Sequence, residues 1–145
     1  MTAPADTIST IIPCFRYRDA KAAIDWLCRA FGFERHAVHE DDDGGIRHAQ
    51  LSFGRGMVML GSVRDDEYGK RLAHPDQNES RGTQSACVVV QDARAHYERA
   101  KAAGARITME YAEQDYGGAG YGCTDLEGYS WWFGSYDPWQ APATE

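Results

Sequence analysis

Asp19–Phe31 reads DAKAAIDWLCRAF and Asp92–Ala103 reads DARAHYERAKAA, and the relation between these two stretches decides the fold. Each opens on an aspartate, whose carboxylate accepts hydrogen bonds from the free amides of a first helical turn. Each is followed by a glycine, Gly32 and Gly104, the residue that most readily takes the left-handed conformation ending a helix. In the first stretch Ala20, Ala23, Ile24, Leu27 and Phe31 recur at helical spacing and make one apolar face. The aspartates are 73 residues apart and the glycines 72.

Working outward, Ile8–Tyr17 is rich in β-branched and aromatic residues and reads as a strand. CVVV, Cys87–Val90, reads as a buried strand before the second helix. Each half then closes on a glycine turn, an apolar strand and another glycine: GMVMLGS from Gly56 and GYSWWFGS from Gly128. These landmarks keep the same offset to within one residue, which identifies a duplicated unit. Each unit is β-α-β-β-β. Unit one spans about 8–63 and unit two about 84–136, within a single domain of 1–145. In unit one, Phe33–Glu40 and Ile46–Phe53 pair across the acidic turn DDDGG. In unit two, a strand over Arg106–Glu110 leads to the glycine-rich YGGAGYG, read as a loop. Between the units, residues 64–83 are polar and form a long connection, either a lid over a site or a plain linker.

A chain of 145 residues with 43% hydrophobic and 26% charged residues buries a core of its own. The net charge of −7 disfavours nucleic acid and anionic lipid, whose binding needs clustered Lys and Arg. No apolar run is long enough to span a membrane. The opening MTAPADTIST lacks the basic and apolar regions of a secretory signal, so the expectation is a cytoplasmic protein. Cys14, Cys28, Cys87 and Cys123 are dispersed and expected to be reduced, each a small buried hydrophobe.

IPCFRYRDAKAAIDWLCRAFGFE, from Ile12, resembles the opening of proteins of the glyoxalase/bleomycin-resistance/dioxygenase (vicinal oxygen chelate) superfamily. TDLEGYSWWFGSYDP, from Thr124, resembles their closing signature, with Leu126 where the family usually has proline. The resemblance covers about Ile11–Pro138. It implies an α+β fold in which two tandem βαβββ units form curved half-sheets around a cleft, with helices outside. It also implies homodimers, some with clefts shared between chains. Metal-using members take four ligands from that cleft, one from the first and one from the last strand of each unit. Those positions transfer to Ile12, Leu60, Ala86 (or Ser85) and Trp132, with Leu60 and Trp132 treated as equivalent places before a Gly-Ser pair. None is a carboxylate, imidazole or thiolate, so no metal and no other cofactor is expected.

Strand alternation then selects the cleft wall. Ala49, Leu51 and Phe53 form the apolar face of one strand, leaving His48, Gln50 and Ser52 toward the cleft. On the last strand Ser130 and Trp132 share the cleft face, and Tyr129, Trp131 and Phe133 face the helices. Trp132 offers a flat stacking surface. Cys14 and Arg16 share the parity of Ile12 on the first strand. Tyr111, Tyr116 and Tyr121 punctuate the glycine-rich stretch, either clamping a ligand from a mobile loop or anchoring it to the sheet. Tyr136 and Trp139 either cover a sheet edge or lie in a dimer contact. No dinucleotide, phosphate-loop or Ser-His-Asp signature is present.

The reading favoured is a metal-independent homodimer that binds a small molecule, sequestering an aromatic or cationic compound. The ligand-binding set is His48, Gln50, Ser52, Trp132, Ser130, Cys14, Arg16 and Tyr121. Two alternatives stand beside it: a glyoxalase-like enzyme using His48 as acid or base, with Glu110 brought near it, and a regulatory or structural module with a vestigial cleft.

Overall fold

A computed structural model describes residues 1–140, so the end of the expected domain, 141–145, lies outside the described residues. The expected α+β class and two βαβββ units stand. Unit one is β1 (Cys14–Tyr17), α1 (Ala20–Phe31), β2 (Glu34–Glu40), β3 (Ile46–Phe53) and β4 (Gly56–Ser62). Unit two is β5 (Ala86–Val89), α2 (Ala93–Ala102), β6 (Arg106–Glu113), β7 (Ala119–Thr124) and β8 (Ser130–Gly134). Each unit folds its strands into one mixed sheet, ordered β1-β4-β3-β2 and β5-β8-β7-β6, with its first strand parallel to its last. The two sheets are not hydrogen-bonded to each other.

Both helices start as the sequence dictates. Asp19 accepts from the Ala22 amide at 3.1 Å, and Asp92 from the Ala95 amide at 3.0 Å. Gly32 closes α1 at φ 85°, a conformation that costs a glycine nothing. The apolar face of α1 is buried as expected, together with Trp26 and Ala30. Trp26 donates its indole N–H to the Ala103 carbonyl at 2.8 Å, which locks α1 to the end of α2.

The helix-bearing faces of the two sheets share one core. Phe31 of α1 packs its ring 5.3 Å from Trp131 and 4.5 Å from Phe133 of unit two. Phe15 of β1 stacks on Trp131 at 5.0 Å. Ala49, Leu51, Val58 and Leu60 line the same core from unit one, and Tyr121, Cys123, Trp131 and Phe133 from unit two. The open faces of the two sheets therefore point away from each other. A single chain does not close them around one cleft.

Four local expectations change. The first strand begins at Cys14, not Ile8. The register with β4 runs over Cys14–Tyr17, and Pro13 before it accepts from the Met59 amide at 2.9 Å but has no N–H to carry the ladder further. CVVV is not buried throughout. Cys87 and Val89 are exposed because β5 is covered on one face only. Cys14 is likewise exposed and Cys28 half-buried, so Cys123 alone fits the expected buried role. The glycine-rich stretch is a tight turn followed by strand, and β6 runs on to Glu113. Gly117 and Gly118 take the left-handed turn positions at φ 118° and 65°, and β7 starts at Ala119.

The connection between the units is pinned at its centre. His74 is only 5% exposed and Pro75 is buried beside it. Two short 3₁₀ turns, Gly69–Arg71 and Pro75–Gln77, shape the rest. No helix among the described residues is long and apolar enough to cross a membrane.

Candidate functional site

The open face of unit one carries a groove of about 210 Å³. The strand register builds it. Cys14 stands opposite Met59, and Met59 opposite Gln50. One row along, Arg16 stands opposite Gly61, and His39 opposite His48. Gly61 leaves the floor open where a side chain would strike the Arg47 carbonyl, 3.0 Å from its would-be Cβ. Cys14, Arg16, Arg47, His48, Met59 and Tyr68 are among the groove's walls. Tyr68 comes from the connection between the units, so this part of the loop borders the groove. The guanidinium of Arg16 lies 5.1 Å from the centre of the Tyr68 ring and donates to the Ser62 carbonyl at 3.1 Å.

The expected alternation on β3 holds. Ala49 and Leu51 are fully buried and Phe53 packs against the core, while His48, Gln50 and Ser52 lie half-buried on the open face. His48 and Gln50 form a pair through their side chains, with 3.0 Å between Nε2 and Nε2. His39 stacks on His48 at 6.2 Å. Glu110 does not reach this histidine. It accepts a hydrogen bond from Tyr97 in unit two.

On unit two, Trp131 and Phe133 are buried and Ser130 and Trp132 face outward, again as alternation requires. The Trp132 indole lies flat on the sheet because of two glycines. A Cβ on Gly120 would sit 2.7 Å from its Cζ2, and one on Gly134 would sit 2.9 Å from its Nε1. This close approach explains the glycine-rich sequence better than mobility does. Tyr121 leaves the expected ligand set. It is fully buried, and its hydroxyl donates to Nδ1 of His96 at 2.6 Å. Strand alternation puts it on the helix side, two residues from Cys123. Tyr111 lies under the Arg94 guanidinium at 4.4 Å, and Tyr116 makes an edge contact with Tyr136 at 5.1 Å, so both anchor local structure. Trp139 is 92% exposed and covers no edge in this chain.

No cavity described in the chain is lined by both His48 and Trp132. His48, Gln50, Ser52, Cys14 and Arg16 share one open face, and Ser130 and Trp132 share the other.

A second constellation was not visible in the sequence. Glu127, in the turn before β8, accepts from the Asp19 amide at 2.9 Å and stands 2.8 Å from Nε2 of His74. Nδ1 of His74 lies 3.2 Å from both the amide and the carboxylate of Asp76, and Nε2 faces Glu127, so the ring bridges the connection and the closing turn. Arg18 grips Asp76 at two points, 2.8 and 2.9 Å, and holds that carboxyl down at about 2. Burial pushes the neighbouring Asp125 carboxyl upward, against donors from Tyr17, Trp131 and the Glu127 and Tyr129 amides. These contacts tie β1, α1, the connection and the closing turn together. The only signal for them in the sequence was the Asp-Leu-Glu-Gly turn itself.

The model of the Glyoxalase/Bleomycin resistance protein/Dioxygenase superfamily matches residues 8–133. The chain belongs to this superfamily. Among solved structures, TioX from Micromonospora sp. ML1 is 32% identical, with a TM-score of 0.68, over 87% of this chain and 97% of that one. UcmS2 is 17% identical with a TM-score of 0.68, over 88% and 99%. The fosfomycin resistance protein FosX from Listeria monocytogenes is 10% identical with a TM-score of 0.62, over 89% and 92%. No curated protein matches the sequence.

For a glyoxalase-superfamily chain the first and last strands of each unit are where a metal would be held, and the register corrects the expected positions. Leu60 is 3% exposed and faces the core, and Ala86 turns inward beside Trp131. The outward pairs are Cys14 with Met59 and Cys87 with Trp132, each residue 73 positions from its counterpart. Leu60 is the equivalent of Phe133, and Met59 the equivalent of Trp132. Of these four only the cysteines are donors of the kind a divalent ion takes, and two thiols on separate sheets, with a thioether and an indole, do not complete a site. The described residues hold no group of three or more His, Cys, Asp or Glu placed around one point. The superfamily's metal does not fit these positions.

Proposed function

We propose that this protein binds a small planar molecule without a metal, on the open face of unit one, and sequesters it. The observation that carries the reading is the groove beneath Tyr68. It brings an aromatic ring, a sulfur floor and the imidazole of His48, itself paired with Gln50, together on the first and last strands of unit one. The enzyme reading finds no support in the surroundings of His48. Its partner is Gln50, an amide that neither stores nor relays a proton. Trp132 supplies a second flat surface on the opposite side of the chain. A site using both walls needs two copies, with unit one of one protomer facing unit two of the other, and we propose a homodimer arranged in that way.

The test is a two-dimensional amide NMR titration of chelator-treated protein with a set of naphthalene-based probes. Shifts clustering on β1, β3, β4 and Tyr68 support the reading. Absence of binding by every probe, or binding only after a divalent metal is restored, contradicts it.

A further inference from the structure

The groove on unit one is electropositive although the chain is strongly acidic. None of its lining residues carries a carboxylate, while Arg16, Arg47 and His48 all border it. The whole chain has a net charge of −7. Two guanidiniums collected in a groove on such a surface create a local field opposite in sign to the field of the whole molecule.

Arg16 is the more constrained of the two. Its side chain is 16% exposed, and one nitrogen is satisfied by the Ser62 carbonyl. Its nearest carboxylate, Asp66, is 3.9 Å away and 47% exposed, too distant for a hydrogen bond. Arg16 thus keeps donors free beside the Tyr68 ring. Arg47 pairs with no carboxylate among the described residues. A cationic ligand entering here would meet both guanidiniums, with the solvent-exposed Asp66 as the one nearby countercharge among the described residues. An anion would meet ready-made, partly desolvated donors.

Resting on the binding role proposed above, we infer that the ligand is a planar aromatic acid: its ring lies along Tyr68 and Met59, and its carboxylate is held by Arg16 and Arg47. Of the aromatic or cationic compound expected from the sequence, this keeps the aromatic ring and replaces the cation, because the net charge averages over a surface that the groove does not share.

The experiment compares naphthalene-2-carboxylate with 2-naphthylmethylammonium, the same ring with opposite charges. Isothermal titration at low and high salt gives affinity, and amide NMR gives the place. The carboxylate should bind the groove at least about tenfold more tightly than the ammonium, with the gap narrowing as salt rises. Arg47→Gln, at an exposed position, should weaken the carboxylate about fivefold to tenfold and leave the ammonium unchanged or improved. Arg16→Gln should do the same more strongly. Equal or tighter binding of the ammonium at the groove overturns the inference while leaving the binding role intact. Failure of both probes to bind overturns both.

Discussion

The phenol of Tyr17 donates a 2.6 Å hydrogen bond to the buried carboxylate of Asp125, 108 residues further along the chain. Trp131 donates to the same oxygen at 3.0 Å. The end of β1 in one unit is thereby pinned to the closing turn and last strand of the other. The pin lies inside the aromatic cluster that both sheets share.

Tyr17→Phe keeps the ring and removes the donor. Asp125 is then left short of a partner at a site water does not reach. We expect a loss of about 1–3 kcal/mol, measured by urea unfolding. An unchanged midpoint would show that Trp131 and the turn amides satisfy Asp125 unaided.

His96 gives a pH dependence. Its Nε2–H donates to the Phe31 carbonyl at 2.8 Å while Nδ1 accepts from Tyr121, so the folded protein holds it neutral. Burial lowers its pKa below the ordinary value of 6.5. A depressed folded pKa means stability that is full above the unfolded value and is lost as pH falls through the folded one. Melting temperature should therefore drop as pH falls below about 6.5, and His96→Gln should flatten that slope. A slope unchanged in His96→Gln would place the titrating group elsewhere.

Gly120→Ala tests the seat of Trp132. The added methyl would lie 2.7 Å from both the Phe133 carbonyl oxygen and Trp132 Cζ2, and the backbone contact cannot yield cheaply. The variant should lose about 1–3 kcal/mol and shift the tryptophan emission toward that of a more exposed indole. Wild-type stability and emission would mean that the indole has room to spare.

The fold was legible because it rests on local chemistry repeated twice. Asp19 and Asp92, the glycines after them and the alternation on β3 and β8 each state their role without reference to distant residues. The site was legible only in part. Parity placed His48, Gln50 and Trp132 on open faces, but parity cannot say whether two open faces meet. That depends on Phe15, Phe31 and Trp131 packing the units through their helix sides. The pairing of Leu60 with Trp132 failed because the second closing motif is one residue longer than the first. Counted back from Gly61 and Gly134, Leu60 matches Phe133. For Tyr121 a ligand clamp and a sheet anchor both stayed open because its glycine neighbours resemble a loop, yet Gly120 is there to admit an indole. Nothing in the sequence near His74 marks its distant partner Glu127, 53 residues away.

Elemental analysis of the purified protein should find no stoichiometric Zn, Ni, Mn or Fe. The outward strand pairs Cys14/Met59 and Cys87/Trp132 present no carboxylate or imidazole. About one divalent ion per chain, by plasma emission, would show that ligands come from elsewhere in the assembly.

The binding role of the open face of unit one is tested most directly by calorimetric titration of His48→Ala with naphthalene-2-carboxylate, in chelator, beside the wild type. His48 is half-buried on that face, where it contacts Gln50 and His39 and not the core, so its removal leaves no cavity in the core. The account predicts an unchanged melting temperature and an affinity lower by about fivefold to tenfold, the worth of one hydrogen bond. Equal affinity in the variant and the wild type would contradict it.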